Sequence, residues 1–141
     1  MQEQLQNAGC GEVLVRWKTR NGALFEQSGY IEVNCDAGWT KEQGTGSVGV
    51  VCRDNTGTYR GAYFNILERV MSPLVAEVCA LREGLHFAWR MNYNSIELET
   101  DSKQLIEMLQ GKMGIQVEVE VLVVDICHLA FHMEVKFQHV K

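Results

Sequence analysis

The chain has 141 residues and a formal net charge of -5, a length that gives one domain with a buried core and excludes two. Hydrophobic residues make up 46% of it, with a single proline, which excludes wholesale disorder. The acidic balance excludes bulk electrostatic attraction to nucleic acid, so any such function must rest on a local site.

Residues 1–29 read as a peripheral lead-in, partly disordered. Their cohesive piece is Val13 to Lys18, where Arg16, Lys18 and Arg20 surround Trp17. The opening residues lack the basic start and apolar run of a signal peptide, and no apolar stretch is long enough to span a membrane. Five cysteines without C-x-x-C spacing indicate neither a zinc site nor a disulfide framework. They fit a reduced intracellular protein, cytoplasmic or nuclear.

From Tyr30 the pattern changes. Ile31, Val33 and Cys35 alternate with Glu32, Asn34 and Asp36, the period of two that predicts a strand. Glycines 38, 44 and 46 mark a turn-rich stretch, and Val48 to Cys52 gives a second strand. Asp54-Asn55-Thr56-Gly57 is a turn, and Thr58 to Ile66 reads as a third strand. Ser72-Pro73 opens a helix that runs to about Met91. Ser95 to Thr100 is a fourth strand, followed by a helix to Gln110. The segment from Ile115 to Met133 alternates like a strand around its valines. Its apolar stripe at steps of three and four is longer, and predicts a helix. Glu134 to Val140 is the fifth strand. The expected class is α/β, a mixed five-stranded sheet with its first three strands antiparallel and helices on its faces.

Three acids break the pattern of solvated charge. At 100° per residue Glu77 projects only about 40° from Leu81, within the apolar stripe of its helix. A carboxylate there needs a salt bridge, with Arg53 or Arg82, or a metal. Asp36 precedes a glycine-containing turn that it could stabilise itself. Asp101 follows the fourth strand, where it competes with Ser102 for the helix cap. In a mixed sheet the first and fourth strands can lie side by side, bringing Asp36 and Asp101 together at the end where ligands bind. Carboxylates that converge repel one another unless cations are present, and Mg²⁺ prefers such oxygens.

Several short motifs resemble those of ribonuclease H domains. Ile31 to Gly38 followed by Gly46 to Gly57 is similar to the family's opening hairpins, and Ala76 to Leu85 to its glutamate helix. Glu99-Thr100-Asp101-Ser102 resembles its T-D-S corner, and Val135 to Val140 its last strand and histidine. The wording is closest to plant ribonuclease H-like domains related to retrotransposon reverse transcriptases, and covers about Val15 to Lys141. The resemblance implies hydrolysis of the RNA strand of an RNA–DNA hybrid with two Mg²⁺ ions, Mn²⁺ substituting, held by Asp36, Glu77 and Asp101. It implies a proton-shuttling or product-releasing role for His139, and substrate contacts at Ala37, Gly38 and Ser102. A monomer is expected. The family carries a fourth carboxylate on a C-terminal helix about ten residues after the histidine, and this sequence stops at Lys141. The alternative is therefore a nucleic-acid-binding or interaction module with impaired turnover.

Overall fold

A computed structural model describes residues 30–141. The basic cluster around Trp17 and the expected disorder of residues 1–29 lie outside the described residues. The elements are β1 (Ile31–Thr40), β2 (Thr45–Asp54), β3 (Tyr59–Leu67), α1 (Pro73–Arg90), β4 (Ser95–Thr100), α2 (Lys103–Leu109), a 3₁₀ turn (Val117–Val119), α3 (Glu120–Phe131) and β5 (Glu134–His139). Strand order is β3-β2-β1-β4-β5. The first three strands are antiparallel, and β1–β4 and β4–β5 are parallel. This is the expected mixed sheet. No helix among the described residues is long and apolar enough to cross a membrane.

Two boundaries differ from expectation. Asp36 does not end the first strand, because β1 continues to Thr40. Gly38 and Trp39 pair with Ser47 and Gly46, and Ser47 Oγ occupies the space a side chain at Gly38 would need. Trp39 Nε1 then donates to the carbonyl of Val70 at 3.0 Å, while Val70 N donates to Gly44 O at 2.8 Å. These bonds draw the glycine stretch into the sheet and leave only a short turn, where Gly44 has φ +60°. The second difference is at α3, which starts at Glu120, later than the stripe predicts. The β-branched run before it forms a single 3₁₀ turn, with Val119 N donating to Gln116 O, and Val117 stays exposed. Weak helix propensity in the closely spaced valines Val117, Val119 and Val121 accounts for the delay.

Alternation sorts the sheet residues. Val33, Cys35, Val48, Val50, Ile96, Leu98, Val135 and Phe137 are buried in one core with Leu81, Leu85, Leu105, Met108, Val123 and Ile126 from the helices. Helix α1 lies directly on β1. At Gly84 a Cβ would collide with Cys35 Sγ and press on Leu98 and Val33, so glycine sets how closely the helix seats. Burial pushes the Cys52 thiol up to about 11, and the Cys35 thiol higher still. Both act as core residues. Cys79 is likewise a free thiol.

The face turned away from the described helices carries charge. Glu32 is in register with Arg53 and Glu97, and Glu97 with Lys136. One step along, Asn34 is in register with Glu99, and Glu99 with Gln138. Partial burial raises the Glu99 carboxyl above its usual range, opposed by a hydrogen bond from Asn34 and reinforced by Glu32 and Glu97.

Two expectations follow. Gly84→Ala gains helix propensity of at most about 1 kcal/mol but overpacks the contact with β1, at a cost of roughly 1–3 kcal/mol. The urea midpoint should fall, and Cys35→Ala in the same chain should recover part of the loss. For Glu99 the folded value lies above the unfolded one, so ionising it costs stability above about pH 4.3 and costs nothing below. Glu99→Gln should therefore be more stable than the parent near pH 7, with the advantage vanishing as pH falls below that value.

Candidate active site

The β1–β4 ladder ends at Asn34↔Glu99. Asp36 and Asp101 each lie two residues past that pair, so the parallel pairing delivers both to the same end of the sheet on neighbouring strands. Both are exposed. Asp36 is inside β1, on the face away from the core, where its Oδ1 accepts from Ala37 N at 3.0 Å. The turn-stabilising role considered for it belongs to Asp54 in the next hairpin, whose Oδ1 accepts from Thr56 N and Thr58 N at 2.9 and 3.0 Å.

The competition for the α2 cap is resolved in favour of Ser102. Its Oγ accepts from Leu105 N at 3.3 Å, and the residue is 7% exposed. Asp101 is thereby released from capping. The same result bears on the expected substrate contact at Ser102, because its oxygen is already an acceptor within α2. Ala37 is half-buried and Gly38 exposed, both on β1 beside Asp36.

Glu77 is half-buried on α1 between the buried Ala76 and Val78. The salt bridge considered for it with Arg82 is not made, because Arg82 Nε pairs with Asp125 Oδ2 at 2.6 Å. Arg53 is exposed on β2. Ala76 packs beside Gly46, which pairs with Trp39 near the end of β1, so Glu77 sits on the first turns of the helix at that same end. His139 closes β5 in register with Thr100, and Val140 N donates to Thr100 O at 2.9 Å. The histidine is thus one strand away from the Asp101 corner.

What the fold does not do is close these acids into a cage. Among the described residues no three His, Cys, Asp or Glu side chains stand close enough to hold one metal ion. Strand alternation gives the reason: Asp36 is on the face away from α1, whereas Glu77 is carried by α1. The donor chemistry still suits a hard divalent cation, which takes one or two carboxylates and keeps several waters. The neighbouring Asp36 and Asp101 meet that demand.

Three residues escape a reading of the sequence. Glu97 is only 7% exposed, and Glu99 and Asn34 lie directly beneath Asp101 and Asp36 on the same face. Alternation alone assigns both glutamates to solvent. Only the pairing of β4 between β1 and β5 shows that they are interior to the sheet, which is the signal that finds them.

Residues 34–141 match the model of the family described as reverse transcriptase-like. A curated Arabidopsis thaliana protein named "Putative ribonuclease H protein" is 34% identical over 130 residues, covering 89% of this chain and 21% of its own length. The chain thus spans about a fifth of that relative. Among solved structures, RNase H1 of the archaeon Halobacterium salinarum superposes with a TM-score of 0.73 at 21% identity, over 79% of this chain and 85% of that one. The N-terminal RNase H domain of a Mycobacterium tuberculosis protein gives 0.72 at 22% identity, over 80% and 83%. LC11-RNase H1, solved in complex with an RNA/DNA hybrid, gives 0.70 at 20% identity, over 78% and 84%. With a ribonuclease H-like fold and a family match running from β1 to the last residue, the chain belongs to the reverse transcriptase-like family.

Proposed function

We propose that this domain hydrolyses the RNA strand of RNA–DNA hybrids, using divalent metal held by Asp36, Glu77 and Asp101. The observation that carries the reading is the delivery of Asp36 and Asp101, both exposed and neither spent on a cap, to one end of adjacent parallel strands. The name of the curated relative and the hybrid bound to LC11-RNase H1 support hybrid as the substrate class.

In this reading Asp36, Glu77 and Asp101 would hold the metal through their carboxylate oxygens. A divalent cation so held supplies an activated water and neutralises charge developing on the phosphate. His139 takes up or returns a proton near the leaving oxygen, a task suited to imidazole near neutral pH. The backbone at Ala37 and Gly38, next to Asp36, faces the ribose side. There a 2′-hydroxyl tells RNA from DNA in the shallow minor groove of the hybrid.

The absence of a closed acid cage among the described residues favours one alternative, a module that binds hybrid without cutting it. Cleavage and binding separate the two. A labelled hybrid incubated with the chain and Mg²⁺ or Mn²⁺ should lose its RNA strand, and chelation should stop the reaction. Asp36→Asn should slow cleavage by roughly 10²-fold or more, the scale of removing one electrostatic group from a hydrolytic site. Cleavage that persists in Asp36→Asn sinks the metal-site reading. Hybrid binding with no cleavage in the parent chain selects the module.

A further inference from the structure

Asp101 owes its position to the residue before it. Thr100 ends β4 and is 3% exposed, although it is a polar side chain. Its Oγ1 accepts from the backbone N of Ser102 at 3.2 Å in a buried setting. The hydroxyl therefore reaches past Asp101 and ties down the far side of the corner that displays it. The Thr100 carbonyl accepts from Val140 N at 2.9 Å, and Thr100 is in register with His139. One buried residue thus holds both segments that bring candidate site groups to this end of the sheet.

A threonine hydroxyl bonded to the backbone two residues on is a local clamp. Here it restricts the φ and ψ of Asp101 without using the Asp101 carboxylate. Ser102, held at its N–H by Thr100, uses its own Oγ to cap α2. The clamp and the cap run in series, so the corner has little freedom left. We infer that Thr100 is a positioning residue for the metal-binding role of Asp101, acting through its hydroxyl. This inference rests on the metal reading proposed above.

Groups that orient a metal ligand typically change metal affinity 10–100-fold when removed. The test is Mn²⁺ binding to the full chain without nucleic acid, followed by water-proton relaxation, in the parent, Thr100→Val, Thr100→Ser and Asp101→Asn. Thermal midpoints are recorded for each. Thr100→Val keeps the shape and loses the acceptor, and should weaken Mn²⁺ binding about tenfold. Thr100→Ser restores the acceptor and should bind within about twofold of the parent.

Parent-like binding in Thr100→Val, with binding weakened in Asp101→Asn, overturns the positioning role and leaves the metal reading intact. Equal weakening in Thr100→Ser and Thr100→Val also overturns it, since the hydroxyl is then not the cause. Failure of Asp101→Asn to weaken binding removes the metal reading itself, and this inference with it. A measurement on the parent alone covers the case in which Thr100→Val does not fold. Coupling is reciprocal, so saturating Mg²⁺ should slow exchange of the Ser102 amide by a comparable factor. Unchanged exchange overturns the inference.

Discussion

Parallel pairing of β1 with β4 joins two strands that the chain separates by β2, β3 and the 18-residue helix α1. Nothing local enforces it. It is held because Val33 and Cys35 on one strand, and Ile96 and Leu98 on the other, must be covered by the same helix. Helix α1 can cover them only by coming within a glycine's reach of β1 at Gly84. Once that layer is set, the end of the ladder is fixed, and Asp36 and Asp101 are carried to it on neighbouring strands regardless of their own chemistry. The placement of these two acids is thus a by-product of core packing on the opposite face of the sheet.

The same pairing concentrates negative charge. Glu32, Glu97 and Glu99 stand side by side on the face away from the core, with Arg53 and Lys136 only at the flanks. A sheet built for stability alone gains nothing from opposing like charges across neighbouring strands. Retaining acids beneath Asp36 and Asp101 lowers the potential at that end of the sheet, which favours a cation arriving there and disfavours a bare phosphate. In the proposed reading the acids would hold the metal and the metal would receive the phosphate, which is consistent with a chain whose net charge is acidic.

Much of this was legible in the residues. Period-two alternation located all five strands, and Ser72-Pro73 fixed the start of α1 because a cap oxygen and a missing N–H have fixed places in a helix. The limits of β1 were not legible. Gly38 and Gly46 carry turn signals, and what keeps them in the sheet is the Trp39–Val70 hydrogen bond, a contact between distant parts of the chain. The late start of α3 lay within the ambiguity of its valines. Glu77, which helical geometry places on an apolar stripe, is half-buried there, but helical geometry cannot show on which face of the sheet its partners lie. Asp101 and Ser102 were indistinguishable as caps until backbone geometry chose Ser102.

The short link between β3 and α1 leaves one more consequence. Val70 donates to the β1–β2 turn through its N–H and accepts the Trp39 indole through its carbonyl, so the first hairpin, the third strand and the base of α1 are stitched together by contacts that lie wholly N-terminal to β4. They close shorter loops than the pairing of β1 with β4, so less loop entropy is lost in making them first. The β4 and β5 pairings are parallel and long-range, and must come later. During synthesis the antiparallel half with its helix can therefore assemble as it emerges, presenting the bare edge of β1 as a template on which β4, and then β5, are laid down in order.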